Sequence, residues 1–123
     1  MTTLTEGRHP AEFLLSEANF HRSRDTITIA SGSGKIEPGT LLGKVAIGGK
    51  YKPATATGSD GGETAVAVNL YGVDATSADV TVAAITRDAE VKAHALVYGS
   101  TVNDDTKKTA ARGQLAAVGI ISR

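Results

Sequence analysis

The chain has 123 residues, with 13 basic and 13 acidic side chains that give a formal net charge of zero. This balance excludes the broad positive field expected of a nonspecific nucleic-acid binder, and the absence of cysteine excludes disulfides and thiolate metal sites. Aromatic residues make up 4% of the chain and tryptophan is absent, so a core must consist mainly of Val, Ile, Leu and Ala.

The length fits a single domain, and so thin a core favours association with a partner chain. The first residues lack a basic segment followed by an apolar run, so we expect no signal peptide. No apolar stretch of the sequence is long enough to span a membrane, and the composition is compatible with a reducing cytoplasm.

The N-terminal part of the chain differs in composition from the rest of the sequence. Residues 9–25 contain both phenylalanines, Phe13 and Phe20, together with two of the three histidines and a dense set of charges. A pattern rich in glycine and valine begins directly after them. We therefore predict an arm over residues 1–25 that works outside the core, and a β-rich domain over residues 26–123.

Two interpretations of the arm remain open from the pattern alone. In the first, Pro10 begins a short amphipathic helix, since apolar residues occur after it at helical spacing. These residues are Ala11, Leu14, Leu15 and Ala18. In the second, the arm is extended and hydrogen-bonds to the strand edge of a partner, with Phe13 and Leu15 on one side of the pleat.

The first half of the β-rich domain reads as strands joined by glycine turns. Residues 26–30 alternate strictly, which predicts a half-buried strand with Ile27 and Ile29 inward. Pro38-Gly39 predicts a type II turn, followed by a strand through Leu41 and Val45.

A hairpin is predicted next, because Gly48-Gly49 separates residues 45–47 from residues 50–52, and Pro53 closes its second strand. Residues 64–70 and 79–85 are apolar runs of small residues that suit buried strands. The polar connection between them, residues 72–78, is rich in turn formers.

The C-terminal part predicts one strand and one short helix. Residues 92–98 alternate as a strand with one imperfect face. Asp104 or Asp105 can cap a helix over residues 106–112, which Gly113 would end. Residues 115–121 then return to a strand or an apolar tail.

No set of residues forms a recognisable catalytic or metal-binding motif. The run Gly32-Ser33-Gly34-Lys35 lacks the earlier glycine and the following Ser or Thr of a phosphate-binding loop, whose places are taken by Ile29 and Ile36. The three histidines are not spaced as metal ligands, and the acidic loop pairs do not follow the pattern of a calcium loop. We therefore predict no enzyme activity, no cofactor and no bound metal.

Two blocks of the sequence carry a resemblance to a known family. The first comprises HPAEFLLSEAN at residues 9–19 and RSRD at residues 22–25, followed by PGTLLGK at residues 38–44. The second is DTKKTA at residues 105–110. With these blocks the chain resembles the head decoration, or capsid-stabilising, proteins of tailed phages, the family of the phage lambda head decoration protein D.

The resemblance implies a mainly β, β-clip-like small domain with one short helix near the C-terminus and an extended N-terminal arm. It implies a homotrimer on the outer surface of the virion capsid, at threefold and quasi-threefold sites of the expanded head, made in the host cytoplasm. There it would cement the major capsid protein against internal DNA pressure, without touching nucleic acid or membrane.

In that family the arm is disordered in the free protein and orders on the shell by adding alongside capsid strands, so the resemblance favours strand for most of residues 1–25. The residues that match the arm and are expected to bind the capsid are Glu6, His9, Pro10, Phe13, Leu14, Leu15, Asn19, Phe20, Arg22 and Arg24. The alternative hypothesis is a β-rich ligand-binding or small hydrolytic domain, since related barrels host enzymes and the glycine loops could line a site.

Overall fold

Alternating and small-residue runs make this chain mainly β, as its sequence predicts. The computed structural model describes residues 5–123, and in that range it contains ten strands and one α-helix. The strands are β1 Leu14–Glu17, β2 Arg24–Ile29, β3 Gly34–Ile36, β4 Leu41–Lys44, β5 Tyr51–Pro53, β6 Ala65–Asn69, β7 Val73–Ala75, β8 Val80–Ile85, β9 Ala89–Val91 and β10 Ile120–Ser122. The helix is α1, Asp105–Ala117. Residues 1–4 of the predicted arm lie outside the described range.

Five strands form a closed barrel in the order β2-β5-β4-β6-β8. The strict alternation in β2 has the predicted effect, because Ile27 and Ile29 point into the barrel and are 5% and 0% exposed. Strand β2 runs antiparallel to β8 along its whole length, from Arg24 opposite Ile85 to Ile29 opposite Val80. The predicted buried strands over residues 64–70 and 79–85 are confirmed as β6 and β8.

A second layer covers one side of the barrel. Strands β1, β9 and β10 form a three-stranded sheet, and α1 packs against β10 and β6. Between this layer and the barrel lies the larger apolar core, whose bulkiest members are Phe13, Leu41, Leu70, Ile85, Leu115 and Ile120. Strands β3 and β7 make a separate two-stranded sheet, so β7 is a strand within the connection predicted over residues 72–78.

The helix begins as predicted and ends later. Asp104 caps it, with a side-chain oxygen that accepts the Lys107 amide at 2.8 Å. The helix continues through Gly113 to Ala117, because the burial of Leu115 outweighs the cost of one interior glycine, about 1 kcal/mol. Gly119, with φ of +86°, supplies the left-handed residue that ends it.

The turn predicted at Pro38-Gly39 is present, but the strand that follows it is shorter than predicted. Gly39 has φ of +91° and the Thr40 amide bonds to the Glu37 carbonyl at 3.3 Å, as the predicted turn requires. Strand β4 ends at Lys44, so the strand predicted through residue 47 is wrong there. The chain turns at that point because the Ala46 amide bonds outside the hairpin, to the Asp60 carbonyl at 2.8 Å.

The strand predicted over residues 92–98 is also wrong. Strand β9 ends at Val91, and a 3-10 turn comes next at Ala93–Ala95. The alternation there has no strand to pair with, since the neighbouring β10 ends at Ser122 and the amide of Ala93 bonds to the carbonyl of Arg123. Val97 then meets Thr40 in an isolated bridge.

Candidate interaction surface

Residues 5–12 contact the rest of their own chain through the Arg8 side chain and one backbone hydrogen bond. The Arg8 guanidinium donates to the Ala95 carbonyl at 2.7 Å and lies 3.2 Å from the Glu37 carboxylate. The Ala11 amide donates to the Leu70 carbonyl at 3.0 Å. Sequence reasoning missed Arg8, since a single exposed cation in a charged segment carries no distinguishing pattern.

Phe13 is fully buried in the larger core, so the prediction that its side chain lies outside the core is wrong. Its ring packs over Gly39, where a Cβ would lie 3.5 Å from the ring, and its carbonyl accepts the Lys92 amide at 2.7 Å. A core built mainly from Val, Leu, Ile and Ala leaves a volume that one aromatic ring from the N-terminal segment fills. Leu14 packs partly buried beside it.

Strand β1 decides between the two interpretations of the arm. The extended interpretation is confirmed for Leu14–Glu17, but the partner strand is β9 of the same chain, with Leu14 opposite Val91 and Glu17 opposite Ala89. The helix is wrong, because Ala11 has a left-handed φ of +58° that interrupts any helix begun at Pro10. Strand β2 starts at Arg24, so a strand crosses the predicted boundary after residue 25.

Residues 18–23, here called the tip loop, join β1 to β2 and are held by a buried serine. Ser23 is 0% exposed, and its hydroxyl donates to the Asp88 carbonyl at 2.7 Å while accepting the Ala18 amide at 2.9 Å. At the base of the loop, Arg24 forms a two-pronged ion pair with Glu17, at 2.8 and 2.6 Å. The loop therefore has fixed ends on both sides.

Phe20 sits at the end of this braced loop and is 91% exposed. Its φ of +59° is a left-handed conformation that costs an aromatic residue about 1–2 kcal/mol. Asn19, His21 and Arg22 beside it are exposed, and Arg22 lies 3.9 Å from Asp88. A strained backbone that holds an aromatic ring in water is typical of a contact residue, since aromatic and arginine side chains dominate binding hot spots.

Two ion pairs lie at the base of the tip loop, Arg24 with Glu17 and Arg87 with Asp25. The hydrogen bonds from Arg24 lower the pKa of Glu17 below its ordinary value. Bonds from Arg87 and Thr86 likewise lower the pKa of Asp25, which Arg87 contacts directly. Arg87 also donates to the Arg22 carbonyl at 2.7 Å, and this bond ties the tip loop to the segment after β8.

The structure separates the ten predicted capsid-binding residues into three groups. Seven are exposed: Glu6, His9, Pro10, Leu15, Asn19, Phe20 and Arg22. Two are half-buried, Leu14 against the core and Arg24 against Glu17. One, Phe13, is buried. Glu6 and His9 contact each other at 2.8 Å, away from the tip loop in sequence.

A further exposed apolar residue, Ile47, was not predicted as part of the surface. It is 92% exposed in the turn between β4 and β5. Because β2 and β5 run parallel, the tip loop and the turn that carries Ile47 precede their strands at the same end of the pair. The signal in the sequence was an isoleucine directly before a Gly-Gly turn.

Within residues 5–123 no three histidine, aspartate or glutamate side chains cluster as a metal site would. No helix in the described part of the chain is long and apolar enough to cross a membrane.

These features define a class, a small β domain whose distinguishing groups are exposed side chains on braced turns rather than a cleft with convergent chemistry. The family model for the bacteriophage lambda head decoration protein D matches residues 3–120, nearly the whole chain, so the chain belongs to that family. This is a family of structural phage head proteins, and membership associates the chain with the phage capsid. No curated protein matches the chain.

Proposed function

We propose that this protein is a structural cement of a phage head. It binds as a homotrimer to the major capsid protein, on the outer surface of the expanded shell at threefold and quasi-threefold sites. By joining neighbouring subunits it stabilises the head against the pressure of packaged DNA. The observation that carries the proposal is the family match over residues 3–120, which associates the chain with phage head decoration.

The N-terminal segment contains residues that anchor it to its own domain and other residues that contact the shell. Phe13 and Leu14 hold the segment on its own domain, while the exposed residues meet the shell, with Phe20 as the central one. Burying the Phe20 ring contributes about 1.5–3 kcal/mol. A free arm would instead lose about 1–2 kcal/mol per residue on ordering, so a loop that is already braced retains more of this gain.

A trimer supplies the affinity that one small loop lacks. Three tip loops on one rigid body make the second and third contacts intramolecular, which raises the apparent affinity without new contacts. A threefold trimer on a threefold site presents each loop to an equivalent subunit surface. The exposed ring would then be used three times in each complex.

The proposal is tested by mixing the purified protein with expanded empty capsids and measuring bound protein by cosedimentation, with light scattering to give the oligomeric state. We expect a trimer that binds stoichiometrically, and a Phe20→Ala variant that binds at least about tenfold more weakly, the loss typical of a hot-spot residue. The matched control is Ile121→Ala, an exposed apolar residue on β10, which should bind normally. A monomer that does not cosediment with capsids would contradict the proposal.

A further inference from the structure

We propose that a notch in the barrel wall, between β2 and the turn that precedes β5, is a second contact with the shell. It would take an extended segment of the capsid subunit that carries a carboxylate side chain. The inference rests on the proposed function and adds a site outside the N-terminal segment.

The notch exists because β2 and β5 meet at one position, Ile29 opposite Tyr51. At that point the Ala30 amide donates to the Tyr51 carbonyl at 2.8 Å, so the backbone groups of even-numbered residues face β5. Since β5 begins at Tyr51, the amide and carbonyl of Thr26 face the same side without a strand opposite them. A free strand edge of this kind pairs readily with an added strand.

The space beside this edge is large enough for a short peptide segment. It is a groove of about 490 Å³ between Thr26 and Thr28 on one wall and Gly48, Gly49 and Lys50 on the other. The two glycines have φ of +89° and +69°, and neither carries a side chain that would fill the groove.

The charges around the notch leave one cation available. Asp25 is paired with Arg87, and Lys50 lies 2.7 Å from Asp79. Lys44, by contrast, forms no ion pair with any residue in the range 5–123, and its ammonium lies over the Tyr51 ring at 5.9 Å. A carboxylate on the incoming segment would complement Lys44 while the segment's backbone pairs with Thr26.

The position of the notch favours the capsid as the occupant. It is lined in part by Asp25, whose partner Arg87 donates to the Arg22 carbonyl in the tip loop at 2.7 Å. The notch therefore adjoins the tip loop, and a capsid surface that covers this loop would also meet the notch. Ile47, 92% exposed beside it, would be buried by the same surface.

The experiment compares Lys44→Glu with wild type and with Lys107→Glu in cosedimentation with expanded empty capsids. Lys107 is an exposed lysine on α1, near the helix N-terminus where an acidic residue is tolerated. We expect Lys44→Glu to bind roughly tenfold more weakly and Lys107→Glu to bind as wild type does. Thr26→Pro removes the amide that faces the notch and should weaken binding similarly, with the melting temperature showing whether the β2–β8 pairing is kept.

Four outcomes separate the two proposals. Weakened binding by Lys44→Glu and Thr26→Pro, with melting temperature and trimer unchanged, supports the notch. Normal binding by Lys44→Glu alongside a loss in Phe20→Ala overturns the notch and leaves the proposed function standing. A Lys44→Glu variant that no longer forms trimers overturns the capsid as occupant and points to a second copy of this chain. Wild-type protein that fails to bind capsids overturns both.

Discussion

The two phenylalanines of this chain lie seven positions apart and have opposite surroundings. Phe13 is 0% exposed beneath the β1-β9-β10 sheet, whereas Phe20 is 91% exposed at the end of the tip loop. Strand β1, which lies between them, is fastened to β9. The difference teaches that one short segment can supply both a core residue and a contact residue. Because Phe13 is fixed in the core, Phe20 has a defined position on the surface.

The largest expected effect comes from removing the buried ring. Phe13→Ala should lower the free energy of unfolding by about 3–5 kcal/mol, because it leaves a cavity beside Gly39 and within the larger core. Chemical denaturation followed by circular dichroism measures this change. Phe20→Ala is the matched control and should alter stability by less than about 0.5 kcal/mol. Equal stability losses in the two variants would break the comparison.

A smaller loss is expected from the serine that braces the tip loop. Ser23→Ala removes the hydroxyl that bonds to both the Asp88 carbonyl and the Ala18 amide, and these two groups keep only their direct bond to each other at 3.1 Å. The cost should be about 0.5–1.5 kcal/mol, concentrated in the loop. Hydrogen exchange of the Ala18 amide should accelerate in this variant, while amides in β6 keep their protection. Unchanged exchange at Ala18 would show that the loop is held in another way.

The strained backbone of Phe20 predicts a gain in stability at the expense of binding. Phe20→Gly relieves a left-handed conformation, so the free energy of unfolding should rise by about 1 kcal/mol. The same variant should bind capsids as weakly as Phe20→Ala does. Thermal unfolding and cosedimentation measured on one preparation give both values. A less stable Phe20→Gly protein would contradict the assignment of strain.

The smallest effect concerns pH. Glu17 has its pKa lowered by hydrogen bonds from Arg24, so its ion pair contributes stability that is fully present above the ordinary pKa of the carboxyl and is lost as pH falls through the lowered value. The melting temperature should therefore fall on acidification from about pH 6 to about pH 3, and fall less in Glu17→Gln. An identical pH dependence in the two proteins would show that this pair contributes nothing measurable.

The sequence predicted those parts of the fold whose patterns are local. Alternation placed Ile27 and Ile29 in the barrel, Pro38-Gly39 marked its turn, and Asp104 marked the start of α1. The sequence prediction failed for the strand over residues 92–98, because alternation alone does not reveal whether a neighbouring strand exists. The end of α1 was missed because the burial of Leu115 is a tertiary effect that overrides Gly113.

The candidate surface was predictable in composition and not in geometry. The unusual content of residues 9–25 marked the segment, and the resemblance supplied a role. Neither could show that Phe13 is buried and Phe20 exposed, since exposure depends on where β9 and Asp88 lie in the folded chain. Ile47 escaped notice because the pattern placed residues 45–47 in a strand, whereas β4 ends at Lys44 and leaves Ile47 exposed in a turn.

The most direct test of this account is a map of the decorated shell at a resolution that shows side chains. The account predicts that the Phe20 ring lies buried against the major capsid protein while Phe13 stays in the core of its own chain. A map with Phe20 in solvent, or with Phe13 withdrawn from the core and seated in the capsid, would contradict it.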